Sequence, residues 1–330
     1  MQKTKNSRTV KAFIYKHCLL SSLLSMALLT QCMPKQSVST ATDSQQATKA
    51  VDGDQSAQII PSKPPATVPQ PSQVSSVRFK RMITVILENT GFNQAAQQPF
   101  LAALAKQGAL MTNFNGETHP SQGNYIAMVS GNLQGVTGNG NYDIDALHIG
   151  DLLDKKNLSW KVYAEGYPGN CYTKKKLGKY VRKHNPMISF NSITKNPQRC
   201  ANIVNADEFE GDAKQGKLAN FIQYIPDLNN DGHDTGVAFA SKWLETKFGS
   251  YLKDPVFMQE TLFVLTFDEN EGSKPNQIYT VMYGPMVVAG AQSNALYDHY
   301  SLLKLAEDNW ELGNLKSNDV TAAAMTGFWK

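Results

Sequence analysis

The stretch TLFVLTFDENEG, residues 261–272, sets the reading of the fold. Seven apolar or β-branched residues in a row, none charged, make a strand buried on both faces. The acids Asp268 and Glu269 then follow at its carboxyl end. MITVIL, residues 82–87, repeats the pattern and delivers Glu88 and Asn89, while WKVYA (160–164) and YTVMYG (279–284) read as further strands. Residues 99–106, 125–129 and 301–307 read as helices. Buried strands alternating with helices predict an α/β protein, a central and mostly parallel sheet with helices on both faces. In such a fold the loops beyond the carboxyl ends of the strands carry the chemistry.

The folded part is preceded by two segments of different character. Residues 1–32 hold Lys3, Lys5, Arg8, Lys11 and Lys16 with no acid, then the apolar run LLSSLLSMALL, too short to span a bilayer and arranged like a secretory signal. A cleavable signal is favoured over an anchor helix. LLTQC sets Cys32 where a bacterial lipoprotein carries its acylated cysteine, although Gln31 stands where a small residue is usual. Export to the periplasm or the medium is expected, with a lipid anchor at Cys32 as the one route to a membrane. Removing residues 1–32 turns the formal charge of +4 into −1, so the sequence offers no support for nucleic-acid binding. Residues 33–78, rich in Ser, Thr, Gln, Ala and Pro, read as a disordered tether, leaving residues 79–330 as one domain.

Beyond the signal only Cys171 and Cys200 remain. Two thiols in an exported chain predict one disulfide, closing a loop of about thirty residues. Two unpaired thiols are the alternative, and a metal site is disfavoured because neither belongs to a Cys-x-x-Cys pair.

The polar residues at strand ends supply the candidate chemistry. Glu88, Asn89, Asp268 and Glu269 form an oxygen-only set suited to a hard or borderline divalent cation, or are merely solvated loop starts. In THPSQGNYIAMVSG, residues 118–131, Ser121 stands where a helix begins, as either an N-cap or a nucleophile facing an anion. IPDLNNDGHD, residues 225–234, places His233 among Asp227, Asp231 and Asp234. Its DLNNDG imitates half an EF-hand loop, but the twelfth position is Ala238, so that reading fails. His119, His184 and His299 also sit in motif-like settings, whereas His148 reads as structural. A hydroxyl nucleophile, acidic ligands and several imidazoles are the parts that metal-assisted phosphoryl transfer requires.

In order along the chain, EN, HPSxxNYxAxxSG, KHNP, PDxxNDGHD, TFDENEG and YDHYSLLK resemble the phosphoesterase family of acid phosphatases and non-specific phospholipases C, within the alkaline phosphatase superfamily. The short chain is closer to the acid phosphatase branch. The resemblance implies an alkaline-phosphatase-like fold and a metal-dependent phosphomonoesterase in which Ser121 becomes a phosphoserine. Asn124 is then expected to hold a phosphate oxygen, and His119, His184 and His233 to line the phosphate pocket with His299 nearby. Glu88, Asn89, Ser121, Asp268 and Glu269 match the metal ligands, with Asp227 and Asp234 as outer residues supporting them. The ion is calcium, magnesium, manganese or zinc. Small phosphorylated molecules, phospholipid head groups among them, are the implied substrates. A phospholipase C-type phosphodiesterase is the alternative, and a non-catalytic phosphate-ligand-binding protein a more distant one. A sulfatase is disfavoured because no CxPxR context is present. Gln122 and Gly123 replace a common Leu-Pro, and Gly91 and Phe92 replace residues able to touch substrate, leaving substrate preference open.

Overall fold

The computed structural model describes residues 77–330, so the segment read as a signal, the lipid-anchor cysteine Cys32 and nearly all of the tether lie outside the described residues. The elements run β1 (Arg81–Leu87), α1 (Phe92–Ala96), α2 (Pro99–Gln107), β2 (Ala109–Asn115), α3 (Gln122–Ser130), α4 (Ile149–Lys155) and β3 (Trp160–Ala164). The short strands β4 (Lys176–Leu177) and β5 (Tyr180–Val181) follow, then α5 (Asn191–Thr194), α6 (Pro197–Cys200), β6 (Ile203–Asn205), α7 (Glu208–Lys214) and β7 (Phe221–Ile225). The chain continues through α8 (Val237–Lys253), α9 (Pro255–Met258), β8 (Thr261–Phe267), β9 (Gln277–Tyr283), β10 (Ala291–Ser293), β11 (Tyr297–Asp298) and α10 (His299–Asn309).

The main sheet has the order β10-β2-β9-β8-β1-β7-β3-β6, with β11 also paired to β2. β1 lies parallel to β7 and β8, and β3 lies parallel to β6 and β7. Strand β9 runs against both of its neighbours, β2 and β8. The sheet is therefore mixed but mostly parallel, as the apolar runs predict. Every residue of β8 and all but the first of β1 are buried. Successive side chains point to opposite faces, so this burial requires cover on both sides. Helices supply that cover, α3 packing with α10 and α2 with α8. No helix among the described residues is long and apolar enough to cross a membrane.

The register places the site. Leu87 pairs with Phe267, so the first residues beyond β1 and β8, Glu88 and Asp268, emerge side by side. Strand β7 flanks β1 on its other side, and the turn that follows it is bonded back to β1 by the Glu88 N–H donating to the Asp231 carbonyl at 2.8 Å. Three neighbouring strands thus discharge their loops into one place, the arrangement that makes strand ends functional in α/β sheets.

Cys171 and Cys200 form the expected disulfide, with Cα atoms 5.6 Å apart. His148 is structural, as expected: it caps α4, its Nδ1 accepting the Gly150 N–H at 3.1 Å while Asp151 returns a bond to the His148 N–H.

Candidate active site

Ser121 occupies the position before the first turn of α3, yet its side chain makes no capping bond. Its hydroxyl instead lies 2.5 Å from Glu88 Oε1 and 3.0 Å from Glu269 Oε1, and Lys183 Nζ stands 3.3 Å from the oxygen. The N-cap alternative therefore fails on geometry, because a cap must accept from the helix N–H groups. The neighbours of Ser121 hold the loop around it. Asn124 Oδ1 accepts the N–H groups of Glu117 and Thr118 at 2.7 and 3.0 Å, and its Nδ2 donates to the Thr118 carbonyl at 2.8 Å. Gln122 binds the loop at Gly140 through Oε1. A Cβ at Gly123 would sit 2.6 Å from Thr118 Cγ2, so glycine allows this close approach.

Around the hydroxyl stand four buried carboxylates. Glu88, Asp268 and Glu269 offer ligand atoms within 4.8 Å of one another, and Glu88, His184 and Asp231 form a second such group. His184 is in ion-pair contact with Glu88 through Nε2 and lies 3.2 Å from Asp231 through Nδ1. The two ring nitrogens, Glu88 Oε2 and Asp231 Oδ2 thus have only one another as partners, and both oxygens of Asp268 are buried with no hydrogen bond among the described residues. Burial, then the charges of Glu88 and Glu269, push the Asp268 carboxyl well above the ordinary carboxylate range. Burial also opposes ionisation of Glu88, but His184, Lys183 and the Ser121 hydroxyl outweigh it and hold that carboxyl low. The same burial disfavours a charged His184, yet Glu88 and Asp231 reverse the direction and raise it.

These observations fit a cation. Four carboxylates face Lys183 and His184, with the one-third-exposed His119 beside Glu269, and a divalent ion would offset their excess of negative charge. A buried acid with no hydrogen bond, as Asp268 is among the described residues, is otherwise costly, and an all-oxygen set of carboxylates and a hydroxyl suits calcium, magnesium, manganese or zinc. Asn89 is exposed next to Glu88.

The structure sorts the histidines. His119 is one-third exposed and its Nδ1 lies 2.6 Å from Glu269 Oε2. The ring of His184 stacks on Tyr125 with centroids 4.9 Å apart. Tyr125 itself is wholly buried, its hydroxyl without a hydrogen bond among the described residues and pushed far above the usual phenol range by burial and the surrounding carboxylates. His233 is exposed, its Nδ1 2.8 Å from Asp234 Oδ1, while Asp234 also takes Lys179 at 2.7 Å. His299 is completely buried, and its Nε2 donates to the Asp268 carbonyl at 2.7 Å. That contact positions the strand end bearing Asp268, and burial pushes the imidazole down to about 4, keeping it neutral.

Two residues enter the cluster that the sequence reading did not assign to it. Asp231 joins Glu88 and His184, whereas Asp227 spends its carboxylate on the N–H groups of Asn229 and Asn230 within the turn. Lys183, the first residue of the KHNP motif, lies 3.1 Å from Glu88. Gly91 is bonded to Glu271 through its N–H at 2.7 Å, and Phe92 packs on Tyr279.

Comparison with known proteins adds an independent line. The profile of the Phosphoesterase family matches residues 88–313, which contain every residue of the cluster. A probable acid phosphatase of Kluyveromyces lactis is 37% identical over 262 residues, covering 75% of this chain and 62% of that protein. The chain thus spans about three fifths of the length of this fungal relative. A phosphatidylinositol-3-phosphatase of Mycobacterium tuberculosis is 32% identical over 254 residues, covering 74% of this chain and 82% of that one. Among solved structures, an alkaline phosphatase superfamily protein of Vibrio parahaemolyticus superposes with a TM-score of 0.52 at 11% identity, covering 78% of this chain and 75% of that one. That last likeness concerns the fold alone.

Proposed function

Because the chain belongs to the phosphoesterase family, we propose that it is a metal-dependent phosphomonoesterase, an acid phosphatase acting on small phosphorylated substrates through a phosphoserine at Ser121. The observation that carries this reading is the Ser121 hydroxyl, released from capping and held between Glu88 and Glu269 beside Asp268, whose buried carboxylate has no hydrogen bond among the described residues.

Each residue has a definite task in such a transfer. Glu88 accepts the Ser121 O–H and fixes its direction, and Glu269 offers a second acceptor. Glu88, Asn89, Ser121, Asp268 and Glu269 would hold a divalent ion, which when bound lowers the pKa of the hydroxyl and offsets phosphate charge. Lys183, 3.3 Å from the attacking oxygen, brings an ammonium to where phosphate oxygens must lie. The N-terminus of α3 adds its partial positive charge at the same place. His119 and His233, which reach solvent, supply imidazoles for proton transfer to the leaving oxygen and from water in the second step, while His184 lines the pocket between Glu88 and Asp231. Asn124 shapes the 117–118 loop through its bonds there. The disulfide and the signal-like residues 1–32 support action in the periplasm or outside the cell.

The test is a comparison of wild type with Ser121→Ala on an aryl phosphate and on a choline-phosphate diester. The wild type is expected to prefer the monoester, and the variant to lose about a thousandfold or more of turnover while melting within about 1 kcal/mol of wild type. A preference for the diester points to phospholipase C chemistry. Retained turnover in the variant removes Ser121 from the reaction.

A further inference from the structure

Residues 172–183, YTKKKLGKYVRK, carry six cations and no acid. They fold as a tight hairpin, β4 pairing with β5 in the register Lys176 to Val181 and Leu177 to Tyr180. Gly178 takes a φ of +57° in the two-residue turn, a conformation that suits glycine. The pairing continues past β5, because the Arg182 N–H donates to the Lys175 carbonyl at 2.9 Å. Lys175 is therefore directly across from the residue that precedes Lys183, whose ammonium lies beside Ser121.

The base of this hairpin is rigidly held. Cys171 is bonded to Cys200, and the Arg182 guanidinium donates to the carbonyls of Thr173 and Tyr142 at 2.9 and 2.6 Å. Tyr180 packs edge-on against Tyr167 and Tyr172. The tip is a different matter. Lys179, Arg182 and Lys183 each have an acidic partner, in Asp234, Asp143 and Glu88. Lys174, Lys175 and Lys176 are exposed and have no ion pair among the described residues. Beside them Leu177 is 48% exposed, an apolar side chain raised on a cationic strand.

Three unpaired lysines next to an exposed leucine, stapled in place and leading in seven residues to the reactive serine's neighbour Lys183, match a negatively charged surface with an apolar layer beneath it. We propose that the 172–183 hairpin docks the protein on anionic lipid membranes and so presents phosphorylated lipid head groups to Ser121. The lysines meet the anionic head groups, Leu177 enters the interface, and Lys183 continues the cationic track to the site. A site for soluble anions would need the lysines but not Leu177, which separates the two sources. The inference rests on the phosphatase reading of Ser121 for its consequence, though not for the docking itself.

The experiment is vesicle flotation of the full chain, wild type and variants prepared alike, on phosphatidylcholine vesicles with and without phosphatidylserine. Wild type should favour the anionic vesicles and be released by about 0.5 M salt. Lys174→Glu/Lys175→Glu/Lys176→Glu should weaken that binding by about a hundredfold. Leu177→Ser should weaken it by a smaller factor, and both variants should hydrolyse an aryl phosphate at the wild-type rate. Equal binding of wild type and the triple variant, or equal wild-type binding to neutral and anionic vesicles, overturns the proposal. So does a Leu177→Ser variant that binds anionic vesicles like wild type, which leaves only a site for soluble anions. If aryl phosphate is hydrolysed by none of the proteins, the phosphatase reading fails while flotation still decides the docking.

Discussion

Asp268→Asn separates a ligand from a merely buried acid, because the two roles move stability and activity in opposite directions. Asp268 is fully buried and neither oxygen has a hydrogen bond among the described residues. With no ion present, its burial beside Glu88 and Glu269 is unfavourable, so an amide of the same shape removes a repulsive group. The metal-free variant should therefore melt at or above the temperature of metal-free wild type. With ion present the order reverses. A ligand at a hundred times its Kd stabilises the native state by about 2.7 kcal/mol, and a domain of this size shifts by roughly 2–4 °C per kcal/mol, so wild type should gain about 5–11 °C. The variant, with one negative charge fewer facing Lys183 and His184, should gain little. Its turnover should fall on the order of a hundredfold or more if the ion activates the nucleophile. The assay is melting of both proteins after chelation and after titration with each of calcium, magnesium, manganese and zinc, alongside aryl phosphate hydrolysis. A variant with the wild-type metal shift and wild-type rate refutes the carboxylate site.

Other outcomes follow from features away from the ion. The Cys171–Cys200 bond joins residues 29 apart in sequence, worth roughly 3–4 kcal/mol in the chain-entropy model, so reductant should lower Tm by about 6–16 °C. Two free thiols titrated in the native protein would contradict the bond. Glu307 on α10 is pushed up to about 9 by burial and by Asp319. A carboxyl raised on folding favours the protonated native state, so its contribution is complete below its unfolded pKa of about 4.3 and is lost as pH rises toward about 9. Glu307→Gln should therefore raise Tm at pH 8 and change it little at pH 4, and an equal shift at both pH values would show that the carboxyl does not titrate as described.

Much of this architecture is legible from apolar runs, and the omissions have physical causes. Strands β1 and β8 announce themselves because their side chains are buried on both faces. Strand β2 does not, since Thr112, Asn113 and Asn115 interrupt it and its register shifts between Met111 and Phe114. Helix α8 buries Ala240, Leu244, Phe248 and Leu252 at a spacing of four, but the exposed Phe239 blurs that stripe. The strand with most consequence for the site is β7, FIQYI, where a buried Gln223 breaks the apolar pattern. Without β7 beside β1, nothing distinguishes Asp231 from Asp227 or Asp234, and the acid that faces His184 is lost among three. Lys183 is hidden for a similar reason, because its nearness to Ser121 exists only once the hairpin and the end of β1 have met. Glu88, Asp268 and Glu269 needed no such knowledge, since each directly follows a readable strand.

The central claim is that Ser121 accepts the phosphoryl group, and the most direct measurement is to trap that group. Wild-type protein mixed with labelled aryl phosphate, quenched in acid during turnover and digested with trypsin should carry label on the peptide 107–155, with fragmentation placing the added phosphate on the Ser121 oxygen. Ser121→Ala treated in the same way should carry none. Label found only on a histidine of wild type, or full turnover with no label on Ser121 at any quench time, would contradict the account.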